Sequence, residues 1–156
     1  MYKINPNATN DYLKVIAGEM TANEFMAIHS PEDYVKASVN YVIGLKRYMY
    51  MVTFTVRPDC KYTEDHIEQL IEKTSKRTAL NIVNFEYVKE YRNVTEKTGL
   101  HYHALVVSTK PLSKDRFKYL SDKIGFVDIS KSKSQNPQNI RDYMQKEYNA
   151  TIKKVV

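Results

Sequence analysis

The sequence predicts an α+β fold: an antiparallel sheet of four to five strands with helices packed on it, preceded by a helical extension and followed by one further helix. Three observations carry this reading. Segments 48–56 ("YMYMVTFTV"), about 82–92 ("NIVNFEYVKEYR") and 100–108 ("LHYHALVVS") are rich in β-branched and aromatic residues and alternate along the chain, as half-buried strands do. Between them lie stretches whose apolar residues recur every three or four positions, the period of an amphipathic helix. The second and third strands are joined by the short polar stretch "NVTEKTG", which leaves room only for a hairpin.

The elements follow in order. Residues 10–28 read as one helix, with Leu13, Ile16, Met20 and Phe25 on a common face and Gly18 weakening the middle. A second helix starts with Ser30 as its cap and Pro31 in its first turn. Glu32 and Asp33 stand at its positive end, and Lys46 and Arg47 at its negative end. After the strand over 48–56, Thr63 caps a helix in which Ile67, Leu70 and Ile71 repeat on one side. The hairpin strands follow. Next comes a helix from Ser113 to Gly125, a short strand "FVDIS", a polar loop "KSKSQNPQ", and a last helix with Pro137 in its first turn. From residue 48 the order is β-α-β-β-α-β-α. A βαββαβ core closes readily into an antiparallel sheet with two helices on one face, a ferredoxin-like or RRM-like arrangement. The chain thus reads as a helical extension (1–47) and a sheet domain (48–156), together one compact unit.

Composition narrows the function. The 156 residues suffice for a domain with a real core, and no apolar run approaches the length of a membrane span. The N-terminal stretch "MYKINPNATNDYLK" lacks an apolar signal core, and the lone Cys60 fits a reducing compartment, so a location inside a cell is expected. One cysteine also excludes a multi-cysteine zinc site. A net charge of +6 and a pI near 9.2 favour a polyanionic partner. Thirteen tyrosines interleaved with lysines suit base stacking beside phosphate contacts, or simply half-buried strand positions.

Two patterns bear chemistry. His101 and His103 are one residue apart on a strand, so both rings leave the same face. Such a pair fits a divalent-metal site or a solvated polar face. Across the hairpin, Glu86, Val88, Glu90 and Arg92 share one face, and a turn near 95–98 brings Glu90 close to the histidines. Two imidazoles and a carboxylate with open positions suit a cation acting as a Lewis acid. On the last helix, Tyr143 and Lys146 are three apart and share a face. A lysine beside a tyrosine and a metal-bound phosphate would favour attack on phosphorus; the alternative is a packed tyrosine and a solvated lysine.

In combination these patterns resemble the HUH endonuclease superfamily, and within it the rolling-circle replication initiators (Rep proteins) of plasmids and single-stranded DNA viruses. Its three motifs occur in order: the strand "VTFTV", the pair His101-Tyr102-His103, and Tyr143-Met144-Gln145-Lys146. "VKEYRNVTEKTGLHYH" is similar to the family's second-motif region and places the third metal ligand at Glu90, with Glu86 and Glu96 as weaker candidates. The resemblance spans about residues 48–150. It implies Mg²⁺ or Mn²⁺ held by Glu90, His101 and His103, with Tyr143 as nucleophile and Lys146 assisting. The substrate would be single-stranded or hairpin DNA at a replication origin, nicked and rejoined through a 5′-phosphotyrosine link in the host-cell cytoplasm. Tyr148, about 140° round the helix from Tyr143, reads as structural. No G-x-x-x-x-G-K-[ST] occurs, so a helicase from host or virus would be a separate partner, and a second copy of the chain is another. A single-tyrosine transposase of the same superfamily, or a non-catalytic RRM-like nucleic-acid-binding module, are the competing readings.

Overall fold

A computed structural model describes residues 1–132, 136–148 and 151–156, with side chains 146–148 outside the description. The chain divides into two compact units, Met1–Lys46 and Arg47–Val156. The first holds three helices: α1 (Pro6–Ile16), α2 (Ala22–Ile28) and α3 (Pro31–Leu45). The single helix expected over 10–28 is therefore two. Around Gly18 the Glu19 N–H turns back to the Lys14 carbonyl at 2.9 Å and closes α1. Thr21 then starts α2 with a reciprocal cap, accepting from the Glu24 N–H while the Glu24 carboxylate accepts from Thr21 N–H. The break resets the helical phase. Leu13 and Ile16 are each 49% exposed, and the buried face is instead Ala8, Tyr12, Phe25 and Ala37. The ring of Tyr12 meets Phe25, Tyr34 and Tyr41 edge-on at centroid distances of 5.3–6.3 Å. Ser30 caps α3 as its sequence suggests, paired with Asp33.

The second unit carries β1 (Tyr48–Val56), α4 (Glu64–Ser75), β2 (Ile82–Asn93), β3 (Thr98–Ser108), α5 (Lys118–Ile124), β4 (Gly125–Lys131), α6 (Pro137–Tyr148) and β5 (Lys153–Lys154). The strands form one antiparallel sheet in the order β4-β1-β3-β2-β5. The first four positions are the interleaved βαββαβ order, so the fold is α+β with an RRM-like core. The two-residue β5 adds an edge beyond it, opposite Glu86 and Tyr87. The segment expected to be one helix from Ser113 opens instead as a 3₁₀ turn over Lys114–Phe117, and Ser113 makes no side-chain cap bond. At the other end of α5, Gly125 starts β4 where the backbone of β1 passes too close for a side chain. A Cβ there would lie 1.9 Å from the Thr55 carbonyl oxygen.

Alternation assigns the two sheet faces. Tyr50, Val52 and Phe54 of β1, Phe85 and Tyr87 of β2, and Tyr102, Ala104 and Val106 of β3 are buried in the main core with Ile67 and Ile71 of α4 and Leu120 and Ile124 of α5. The opposite face is covered in part by α6, whose Ile140 and Met144 pack with Met49, Val88 and Leu105. The remainder of that face is where the chemistry-bearing residues stand. No helix among the described residues is long and apolar enough to cross a membrane.

Candidate metal centre

The hairpin register builds the site. Glu90 pairs with His101 and Val88 with His103 across β2–β3, while Thr55 pairs with His101 and Thr53 with His103 across β1–β3. Cross-strand neighbours on one face have Cβ atoms about 5 Å apart. One carboxylate and two imidazoles are thereby brought together by the period of the strands alone. Their ligand atoms all lie within 4.8 Å of one another. Glu90 Oε2 is 2.7 Å from His101 Nε2 and 3.5 Å from His103 Nε2, and the imidazole centroids are 5.1 Å apart at 84°.

The far nitrogens orient both rings. His101 Nδ1 lies 2.8 Å from the Gly99 carbonyl oxygen. A carbonyl only accepts, so Nδ1 carries the proton and Nε2 is turned to the carboxylate. The two ring nitrogens of His101 thus face two oxygens, the Gly99 carbonyl and the Glu90 carboxylate. His103 Nδ1 is held 3.1 Å from Thr53 Oγ1. Metal-binding histidines are usually anchored in this way through the nitrogen that does not ligate. Burial, and secondarily the neighbouring His101, holds His103 below the usual imidazole range against the pull of Glu90. That favours the neutral, ligating form. Gly99 contributes by its backbone: it sits at φ +69°, and a Cβ there would come within 2.6 Å of the Arg92 Cβ. Glu90, His101 and His103 therefore form a half-buried cluster whose donor set fits a divalent cation.

The remaining carboxylates considered from sequence have other places. Glu86 is buried beneath α6, where Arg141 engages it with two bonds, Nε to Oε2 at 2.6 Å and Nη2 to Oε1 at 2.7 Å. Glu96 is exposed in the hairpin turn, outside the cluster. Tyr102, between the two histidines in sequence, points to the other face and is fully buried. Burial, more than any nearby charge, pushes its phenol well above the ordinary tyrosine range.

Helix α6 lies on the site's face of the sheet. Its apolar stripe (Ile140, Met144) is flanked by Arg141 on one side and Tyr143 on the other, at 100° per residue. Tyr143 is 50% exposed. Lys146 and Tyr148 occupy later positions of α6, and their side chains lie outside the described residues. The parts sequence reasoning passed over are Thr53 as a partner of His103, Arg141 as the anchor of α6, and Arg57 and Phe126 beside the cluster. Only Thr53 had a signal, the alternation of "VTFTV".

No family model, curated protein or solved structure matches this chain.

Proposed function

We propose that this protein is an HUH-type endonuclease of single-stranded DNA that nicks and rejoins a strand through Tyr143, as an initiator of rolling-circle replication. The observation that carries the reading is the sharing of one sheet face: the Glu90–His101–His103 cluster stands on it, and the helix bearing Tyr143 packs on it. A Mg²⁺ or Mn²⁺ bound by the cluster supplies Lewis-acid polarisation of a phosphate.

The chain's own residues do the rest. The phenolic oxygen of Tyr143 attacks phosphorus; a bond forms between Oη and phosphorus, and the bond from phosphorus to the 3′ oxygen breaks. The electron pair leaves on that oxygen, which takes up a proton as the phenol loses its own, giving a free 3′-OH and a 5′-phosphotyrosine. Attack by a second 3′-OH on the same phosphorus restores the phenol and joins the strand. Lys146, one turn along α6, is the group assigned to stabilise the negative charge of the reacting oxygens. Arg141, bound to Glu86, fixes the helix that presents Tyr143. An RRM-like binding module would place stacking aromatics where this face carries imidazoles and a carboxylate.

The test uses single-stranded DNA hairpins of randomised sequence, labelled at the 3′ end, with Mn²⁺. Wild-type protein acquires the label in a form stable to denaturing gels. EDTA prevents it, and Tyr143→Phe abolishes it while retaining DNA binding. An adduct formed by the phenylalanine variant, or bound DNA that is never cut by wild-type protein, overturns the proposal.

A further inference from the structure

Beside the two histidines lies a cavity of about 390 Å³, bordered by Thr55, Arg57, Arg92, His101, His103 and Phe126. Among the described residues its lining includes two arginines and no carboxylate. Phe126 is its anomaly. On the same face of β4, Asp128 and Ser130 follow the polar-outward rule, and Val127 turns into the core at 1% exposure. Phe126 faces outward and is 65% exposed. A single exposed apolar residue is ordinary on a protein surface. This one ends a cross-strand row that runs Phe126–Thr55–His101–Glu90, from one side of the sheet to the metal ligands. Strands lie about 4.8 Å apart, so the backbones of Phe126 and His101 are about 10 Å apart along this row.

The arginines complete the pattern. Arg57 follows β1 directly, and its Nη2 donates to the Asp122 carbonyl at 3.1 Å. Its buried Nε has no hydrogen-bond partner among the described residues, Asp59 lying 3.6 Å away as an ion-pair contact. Arg92 is exposed, two positions beyond Glu90 on the same face of β2. A π-face beside fixed positive charge, in a cavity of small-ligand size, matches a nucleotide: base to ring, phosphate to guanidinium.

We infer that this cavity seats one nucleotide of the bound strand next to the phosphate that is cut, its base stacked on Phe126 and its phosphate held by Arg57 and Arg92. The inference deepens the endonuclease reading and rests on it for the position of the cut. Stacking on a phenylalanine ring tolerates any base, so the seat sets the register of the strand and not its sequence.

The chain has no tryptophan, so Phe126→Trp introduces the sole indole. With excitation confined to the indole and EDTA present, a 20-residue oligothymidylate should quench its emission as it binds. Phe126→Leu, which keeps the bulk and loses the π-face, should bind the labelled oligonucleotide roughly five- to a hundredfold more weakly, and Phe126→Tyr about as well as wild type. Arg92→Gln should lower the salt slope of binding by about 0.7. Unquenched indole, or wild-type affinity in Phe126→Leu, overturns the seat. The adduct assay separates the two readings. An adduct formed while the indole stays unquenched leaves the endonuclease and removes the seat; a quenched indole with no wild-type adduct keeps a stacking seat on a protein that only binds.

Discussion

The two faces of strand β3 are made by alternate residues of one short segment, yet they are under opposite constraints. Tyr102, Ala104 and Val106 are buried to the last atom among the side chains of α4 and α5, whereas His101 and His103 on the other side keep part of their surface. On the core face the free energy comes from apolar area and close packing, about 25 cal/mol per Å² removed from water. On the site face, polar groups are held by hydrogen bonds to Gly99, Thr53 and Glu90 and remain within reach of solvent. The core face is packed along its whole length, whereas the site face is packed only where α6 covers Leu105, which leaves the histidine end free for polar groups. Imidazoles placed on the core side would be buried without partners, at a cost of about 1–3 kcal/mol each.

The contrast can be broken from either side. Phe54→Ala, on the core face, should destabilise the protein by about 3–5 kcal/mol, read as a lower denaturant midpoint at unchanged slope. His101→Ala, on the site face, should leave the melting temperature of the metal-free protein within a few degrees and lower Mn²⁺ affinity at least about tenfold by calorimetry. Equal destabilisation by both would mean that the histidine cluster also holds the fold together. A smaller effect is expected where the faces meet α6. Glu86→Gln leaves Arg141 with one neutral partner and should cost about 1–3 kcal/mol, slowing adduct formation with no change in Mn²⁺ affinity. Loss of metal binding in that variant would show that Glu86 serves the cluster after all.

The smallest effects sharpen the comparison within the core face itself. The Tyr87 hydroxyl donates to Glu72 Oε1 at 2.9 Å, and the Tyr102 hydroxyl is buried with no hydrogen-bond partner among the described residues. Tyr87→Phe should therefore cost about 1 kcal/mol, while Tyr102→Phe should be neutral or stabilising in the same denaturation experiment. A comparable loss in both would reveal a partner for Tyr102.

What was legible in the sequence follows from the range of the interactions that made it. The metal cluster depends on a period of two and on one hairpin, so the reading could align Glu90 with His101 from eleven intervening steps of chain. The Arg141–Glu86 pair joins residues 55 positions apart through the docking of α6, and nothing in either segment announces it. For that reason Glu86 stood as a weaker ligand candidate when its partner is a guanidinium. Phe126 was hidden differently: "GFVDIS" has two adjacent apolar residues, and only the pairing of β4 with β1 decides which of them turns outward. The helix break is half visible in the sequence: Gly18 marks a weak point inside the apolar period, but that period runs on across the Thr21–Glu24 cap that restarts the chain. β5 escaped because two residues carry no period.

The hairpin that joins Glu90 to His101 also sets what changes of length the protein can absorb. Asn93 and Thr98 close the ladder, leaving residues 94–97 as its tip. One residue gained or lost between Glu90 and Asn93, or between Thr98 and His101, turns a ligand to the opposite side of the sheet. Residues spliced into 94–97 leave every pair in place. The tip is thus the natural port for an epitope, a dye or a tether, and the strands on either side of it are a reading frame that admits no frameshift.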